Sequence, residues 1–231
     1  MSKQHLKRLN APKSWPISRK GTKWVTRQNP GTHGLDESVS INIMLKDMLK
    51  YARTTRDARR ILNNKEVLID NIPRKDVKFP VGIFDVIKIP KTKECFLMLL
   101  NKKGILCLNK IDEKKSELKH LKIIEKTILK KGKMQVNFYN GNNMLVDKNE
   151  YKVGDTLVLS LKDKNIVKHL KMEEGATVYL TKGKHVGSIG VLKKVLKSDK
   201  SSGNNLAEIK IDDKNVKTLK EYVFVIDKSL I

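Results

Sequence analysis

The sequence contains few cysteines, and this shortage argues against a zinc site built from thiolates. Its two cysteines, Cys95 and Cys107, cannot supply the four ligands of such a site, and no histidine pair stands beside them at metal-ligand spacing. A single disulfide between them is the alternative, and a reducing compartment disfavours it. We therefore expect both thiols to be core side chains, and we expect no metal or cofactor.

Long apolar runs are also missing. No stretch approaches the roughly 18 apolar residues of a membrane-spanning helix. The N-terminal stretch MSKQHLKRLNAPKSW is basic but lacks the apolar core of a signal peptide. No basic amphipathic helix carries the Trp and Phe residues typical of insertion into a membrane surface. These absences predict a cytoplasmic protein without a membrane partner.

Acidic side chains are scarce relative to basic ones. The chain has 25 Asp and Glu residues against 49 Lys and Arg residues, which gives a formal charge of +24. Such an excess repels itself, so it predicts a polyanionic partner: nucleic acid, an anionic membrane surface or an acidic protein. Aromatic residues make up only 5% of the chain, so base stacking is not expected to be the main mode of contact. Folded RNA held through phosphates, 2′-hydroxyls and shape fits both observations.

The first segment, residues 1–37, is rich in Lys, Arg, Pro and Gly and shows neither helical nor strand periodicity. Basic side chains alternate there with both tryptophans, a pattern typical of an extended arm that follows phosphates while its rings stack. The alternative is a tail whose tryptophans pack on the protein's own core. The candidate RNA-binding residues of this arm are Lys7, Arg8, Lys13, Trp15, Lys20, Lys23, Trp24 and Arg27.

The second segment, residues 38–93, predicts two short helices followed by a strand, a turn and a strand. Apolar residues recur at helical spacing from Ser38 to Leu62, and Thr54 and Thr55 end one helix and cap the next. The outward side carries several arginines, which suit bidentate phosphate contact; the alternative is a solvated face. The candidate RNA-binding residues of this unit are Arg53, Arg56, Arg59, Arg60, Arg74 and Lys75.

The remaining chain shows mostly strand signals. Residues 94–171 predict a central β domain with a hairpin turn at Asn140-Gly141 and a polar helix near residues 112–119. Residues 172–231 predict five or so short strands, which would form a small barrel. Its stretch TKGKHVGSIGVL places Lys182, Lys184 and His185 in a glycine-rich turn that can approach a phosphate. The alternative is a hairpin whose glycines serve chain geometry alone.

Several of these features resemble one family. The TKGKHVGSIG turn resembles the KOW motif, which presents a basic turn of an SH3-like barrel to RNA. The peptide HLKRLNAPKSW and the order of the units resemble the archaeal and eukaryotic small-subunit ribosomal protein S4e family. The stretch Pro30 to His33 is similar to that family's Pro-Gly-Pro-His segment, although Thr32 replaces a proline, and it adds His33 to the RNA-binding candidates.

The resemblance implies an α+β, mostly β architecture. It consists of a basic N-terminal arm, an S4-type RNA-binding unit, a central β domain and a C-terminal KOW SH3-like barrel. It also implies a structural protein of the small ribosomal subunit, with small-subunit rRNA and neighbouring ribosomal proteins as partners and no small-molecule substrate. The chain stops soon after the last predicted strand, where longer members add a basic tail, and this favours an archaeal source.

Two other functions are compatible with parts of the sequence. An RNA-modifying enzyme is disfavoured because no doubly wound pattern with a glycine-rich loop appears, and the five histidines are scattered. A transcription-elongation factor of the NusG type also carries a KOW barrel. That family pairs the barrel with a domain of alternating helices and strands, which the mostly β segment before residue 172 does not match. We therefore expect an RNA-binding structural protein rather than an enzyme.

Overall fold

The structure is a computed structural model that describes residues 5–146, 150–196, 205–212, 214–227 and 230. The chain divides into two compact units, residues 1–119 and 120–231. Both are mostly β, which confirms the predicted α+β, mostly β class. The division of the sequence at residues 37/38, 93/94 and 171/172 stays a prediction.

The first unit contains nine strands and two short α-helices among the residues that the structure describes. The strands are β1 (Leu6–Lys7), β2 (Trp24–Val25), β3 (Ser38–Ser40), β4 (Leu68–Ile69), β5 (Ile72–Pro73), β6 (Pro80–Gly82), β7 (Val86–Ile89), β8 (Glu94–Leu100) and β9 (Leu106–Ile111). The helices are α1 (Ile41–Ile43) and α2 (Thr55–Asn63). Strands β1 and β2 pair, β3 pairs with β6, and the other five form one sheet in the order β5-β4-β7-β8-β9.

The helical part of this unit is shorter than the sequence predicts. Ser38–Ser40 is a strand, and α1 passes at once into a wider π-type turn, Met44–Met48. Ile41, Ile43 and Met44 are buried to 1% exposure or less, so this segment is covered on more than one side. Helix α2 forms as predicted. Its N-terminus is capped by Thr54, which forms a reciprocal capping box with Asp57.

The hairpin β8–β9 completes the first sheet. The sequence assigns this hairpin to the segment 94–171, whereas in the structure β8 pairs with β7 from Val86↔Leu97 to Ile89↔Glu94. The polar helix predicted near residues 112–119 is wrong. A single 3₁₀ turn, Lys115–Glu117, occupies that stretch, and the chain continues as a strand from Leu118.

Among the residues that the structure describes, the second unit contains two five-stranded sheets. The strands are β10 (Leu118–Ile128), β11 (Met134–Phe138), β12 (Asn143–Val146), β13 (Thr156–Ser160), β14 (Ile166–Leu170), β15 (Thr177–Leu180), β16 (Ile189–Leu196), β17 (Leu206–Ile211), β18 (Lys214–Leu219) and β19 (Val223–Val225). The first sheet has the order β12-β11-β10-β13-β14 and the second the order β18-β17-β16-β15-β19. The predicted turn at Asn140-Gly141 joins β11 to β12, with Gly141 at φ 74°.

Each sheet of the second unit has its own apolar core. Leu121, Ile123, Val136, Phe138 and Leu157 pack together in the first. The C-terminal sheet is built around another group of fully buried side chains: Val178, Leu180, Leu192, Ala207, Ile209, Val223 and Val225. The five strands of the C-terminal sheet agree with the number that the sequence predicts, and their closure into a barrel stays a prediction.

Candidate nucleic-acid interface

Helix α2 presents a row of exposed arginines. Arg53, Arg56, Arg59 and Arg60 are all exposed, while Ala58 and Leu62 are fully buried. Like charges three and four residues apart on a helix repel one another, so this face is destabilising unless an anion lies against it. The structure therefore brings Arg56, Arg59 and Arg60 together on α2, while Arg53 is exposed two residues before the helix begins.

The only acidic residue within this helix is occupied by the cap. The Asp57 carboxylate accepts a hydrogen bond of 2.9 Å from the backbone N–H of Thr54, and the Thr54 hydroxyl accepts one of 3.2 Å from the N–H of Asp57. These bonds hold the pKa of Asp57 below its usual value. A carboxylate that serves the N-terminus of the helix does little to neutralise the arginines further along it.

The other two candidates of this unit differ in exposure. Lys75 is exposed. The Arg74 guanidinium lies 4.3 Å from the centre of the Phe79 ring and is half-buried. This cation–π contact fixes the Arg74 side chain against its own unit, so Lys75 is the more accessible of the pair.

The arm contains both surface and structural side chains. Lys7, Lys13, Lys20, Lys23 and Trp24 are exposed. The Trp24 ring is 50% exposed, and the Lys23 ammonium lies 5.2 Å from its centre. A half-open ring beside an ammonium group remains accessible for stacking.

Arg8 organises the arm from within. Its guanidinium donates to the backbone oxygens of Ser18 and Thr22 at 2.9 and 3.1 Å. The side chain thereby closes the loop between β1 and β2. Arg27 is half-buried and makes contacts of its own. Neither arginine is as accessible as the exposed lysines around it.

Two predicted contact residues are covered by the protein. Trp15 is 3% exposed, and its indole N–H donates to the backbone oxygen of Leu35 at 3.1 Å. His33 is 7% exposed, and its Nε2 atom lies 3.1 Å from the Asp85 carboxylate. Rings so enclosed cannot stack on a base, which corrects the expectation that Trp15 and His33 contact RNA. The alternative that the arm packs on its own core holds for Trp15, while Trp24 stays on the surface.

His33 belongs to a buried ionic cluster that the sequence did not reveal. The Lys119 ammonium lies 2.7 Å from the Asp85 carboxylate and also contacts Asp70. Burial opposes the ionisation of Asp85, but Lys119 and His33 outweigh it and hold the pKa of this carboxyl below its usual range. Burial likewise disfavours the charged Lys119, yet the two carboxylates raise its pKa. The cluster joins the arm to the sheet of the first unit.

The predicted basic turn of the C-terminal sheet is exposed. Lys182 and Lys184 are exposed and His185 is half-buried. Gly183 has φ 89°, a conformation that L-residues rarely adopt. Gly190 passes so close to β17 that an added Cβ would lie 2.6 Å from the backbone oxygen of Lys210. Chain geometry explains these glycines, and the same geometry leaves the lysines on the surface.

The residues that the structure describes contain neither a metal-binding cluster nor a membrane-spanning helix. No group of three or more His, Cys, Asp and Glu side chains there could hold a metal ion. No helix within those ranges is long and apolar enough to cross a membrane. Both cysteines are free thiols; Cys95 is buried, as predicted, and Cys107 is only half-buried at the edge strand β9.

Comparisons with known proteins agree on one family. A family model described as "Ribosomal family S4e" matches residues 92–166, and an RS4NT domain model matches residues 2–36. The small ribosomal subunit protein eS4 of Methanosphaera stadtmanae is 43% identical over 100% of this chain and 95% of its own length. That of Archaeoglobus fulgidus is 41% identical over 99% of this chain and 95% of its own length. The crystal structure of the 30S ribosomal protein S4e from Thermoplasma acidophilum superimposes with a TM-score of 0.72 at 32% identity, covering 84% of this chain and 97% of that one.

Proposed function

The chain belongs to the ribosomal protein S4e family, and from this premise we propose that it is a structural constituent of the small ribosomal subunit that binds folded rRNA. The family consists of structural ribosomal proteins and not of enzymes, as the sequence predicts, and the relatives compared are archaeal. In this proposal the protein works in the cytoplasm as part of the ribosome. Its partners are small-subunit rRNA and neighbouring ribosomal proteins.

The arginine face of α2 is the observation that carries the proposal. In the parts of the chain that the structure describes, no ion pair neutralises Arg56, Arg59 or Arg60. A planar guanidinium can hold a phosphate through two parallel hydrogen bonds. Contacts of this kind fix the register of a protein on RNA without reading its sequence. The exposed lysines of the arm and the turn at Lys182 and Lys184 would add further phosphate contacts.

The low aromatic content supports a phosphate-and-shape mode of binding. Trp15 is enclosed by protein, so only one of the two tryptophans is accessible. Folded RNA offers phosphates and 2′-hydroxyls across a wide, shallow minor groove, and these need basic and polar side chains more than rings. The net charge of +24 agrees with this mode because each neutralised phosphate releases counterions.

A salt series tests the proposal directly. The affinity of the full chain for a small-subunit rRNA fragment should fall steeply with salt, by roughly 0.7 to 0.9 in log–log slope for each phosphate neutralised. Arg56→Ala combined with Arg60→Ala should weaken binding and make the slope shallower by roughly 1 to 2. Alanine keeps the helix because it has the best helix propensity.

The matched control removes two charges elsewhere. The control combines Lys102→Ala with Lys103→Ala. Both lysines are exposed on the β8–β9 turn, outside the proposed surface. This variant should bind with nearly unchanged affinity and slope. Equal losses in both double variants would show that the charge acts without a defined surface, and a flat salt response of the unaltered protein would contradict the proposal itself.

A further inference from the structure

The second unit contains a cavity that is not part of the proposed phosphate-binding surface of α2. Its volume is about 370 Å³, near the lower end of the roughly 300 to 1,000 Å³ found for small-molecule sites. It lies between β10 and the stretch that leads from β18 to β19. The residues that give it chemical character are Lys122, Lys182, Lys220, Tyr139 and Tyr222.

Lysine side chains converge on this cavity. The Lys122 ammonium is buried and donates to the backbone oxygens of Glu221 at 2.6 Å and of Lys220 at 3.5 Å. The Lys220 ammonium donates to the backbone oxygen of Val153 at 3.1 Å. Each of these bonds uses one of the three ammonium protons, and carbonyl oxygens do not neutralise the charge.

The electrostatics of Lys122 show that this charge is poorly compensated. Burial, together with repulsion from Lys220 and Lys182, lowers the pKa of Lys122 to about 8, and the Glu221 carboxylate offsets only part of this. Among the described residues that line the cavity, Glu221 is the only acidic one. An anion that entered would find three amines and one carboxylate.

The rest of the wall is apolar and partly aromatic. Ile124, Val153 and Leu219 line the cavity together with the two tyrosine rings. Ile124 is 48% and Val153 43% exposed, so apolar surface stays open to solvent here. A ligand that fits this cavity needs a negative group for the amines and a flat apolar part to pack against the wall.

The cavity is continuous with the basic turn of the C-terminal sheet. Lys182 belongs to both. An added Cβ on Gly183 would lie 3.4 Å from the Tyr222 ring, so the glycine backbone packs directly on that ring. The Thr181 hydroxyl donates to the backbone oxygen of Tyr222 at 3.2 Å. An RNA strand held by the turn therefore reaches the mouth of the cavity.

We propose that this cavity binds one unpaired nucleotide of RNA, its phosphate at the lysines and its base against the apolar, aromatic wall. The proposal rests on the RNA-binding function proposed above and adds a single-stranded site to it. A paired helix is too wide for the cavity, whereas an unstacked nucleotide matches its size and its chemistry. Unpaired bases splayed onto aromatic side chains are the usual targets of sequence-reading RNA-binding proteins.

A blocking substitution tests the site without changing its charge. Ile124→Trp places a large ring at the cavity wall, and Ile128→Trp is the matched control because it lies on the same strand, is 75% exposed and does not line the cavity. The probes are oligouridine, oligoadenylate and an RNA duplex of equal length. Ile124→Trp should weaken binding of at least one single strand by about fivefold or more, the loss of one stacked base. It should leave duplex binding unchanged, and Ile128→Trp should change neither.

The outcomes separate the cavity from the general function. If both variants bind single strands and duplex as the unaltered protein does, the cavity site is wrong and the general RNA-binding function stands. If the unaltered protein binds no RNA, both proposals are wrong. Adenosine and uridine monophosphate form a further arm: competition by either at the same concentration as the oligonucleotide would assign the cavity to free nucleotides and overturn the RNA assignment. Thermal melts of both variants establish that they fold.

Discussion

Two buried lysines of strand β10, Lys119 and Lys122, are close together in sequence but differ in the charges that surround them. The Lys119 ammonium contacts two carboxylates, those of Asp70 and Asp85, and its pKa is raised in spite of burial. The Lys122 ammonium donates to the backbone oxygen of Glu221, and its pKa is lowered to about 8. The same side chain at nearly the same exposure is therefore stabilised in one unit and left poorly compensated in the other.

The different partners of Lys119 and Lys122 indicate different roles for the two ammonium groups. A buried charge with carboxylate partners is needed for the stability of the fold, because removing either partner leaves an uncompensated ion. A buried charge without one costs stability, and proteins keep such groups mainly where a ligand will meet them. Lys119 therefore marks a structural joint in the first unit, and Lys122 marks the site proposed in the second.

Replacing Lys119 should have the largest effect. Lys119→Met leaves Asp70 and Asp85 facing each other with only His33 nearby, so we expect a loss of about 3 to 5 kcal/mol in unfolding free energy. Denaturant unfolding measures it. Lys91→Met is the control, since Lys91 pairs with Glu66 at the surface at 3.5 Å and such pairs contribute about 1 kcal/mol or less. Similar losses in the two variants would remove the distinction between a structural and a surface lysine.

The second prediction concerns the pH dependence that Lys122 contributes. Its pKa is about 8 in the folded protein against 10.5 as the ordinary value, so the unfolded chain binds the extra proton between these values. Stability should therefore rise as pH increases from about 8 to 10.5, by an amount on the order of 3 kcal/mol at most. The charged groups that act on Lys122 are Lys182, Lys220 and the Glu221 carboxylate. Their combined effect leaves the pKa of Lys122 lowered, so stability still rises with pH.

The measurement compares the unaltered protein with Lys122→Met across that pH window. The difference between their unfolding free energies reports Lys122 together with its coupling to Lys182 and Lys220, because titrations that are independent of Lys122 occur in both proteins. The variant should be relatively more stable below pH 8, and the advantage should shrink as pH rises. A difference that stays constant with pH would mean that Lys122 titrates normally and that its charge is well compensated.

Local signals predicted the parts of the fold that depend on local chemistry. The Thr54 cap, the turn at Asn140-Gly141 and the exposed α2 arginines were all readable because capping residues, hairpin dipeptides and helical spacing act over a few residues. The resemblance to the S4e family followed from the arm peptide and the order of the units, and the charge excess led to the hypothesis of an RNA partner. For the site, exposure of the lysines in the arm and in the Lys182 turn needed no tertiary information.

The failures share a physical cause, which is burial by distant segments. Ser38–Ser40 is a strand because it pairs with Pro80–Gly82, and a pairing so remote in sequence overrides helical periodicity. The polar stretch near residues 112–119 does not form the predicted helix, and Lys119 at its end contacts Asp70 and Asp85 in an ionic cluster. Trp15 was expected to face RNA because its neighbours are basic, but Leu35 supplies the partner for its indole N–H.

Replacing Lys220 should have the smallest effect on stability, but it tests directly why the pKa of Lys122 is lowered. Lys220 is half-buried and contributes one hydrogen bond, to Val153, so Lys220→Met should change the unfolding free energy at neutral pH by only about 1 kcal/mol. The repulsion that Lys220 exerts on Lys122 disappears, however, and the pKa of Lys122 should move back toward its ordinary value. The pH at which stability begins to rise should therefore shift upward. Lys171→Met removes an equal charge from an exposed residue outside the cavity and should leave that pH unchanged. An unshifted profile in Lys220→Met would show that burial alone sets the pKa of Lys122, and that the amines do not act together as the single anion site proposed here.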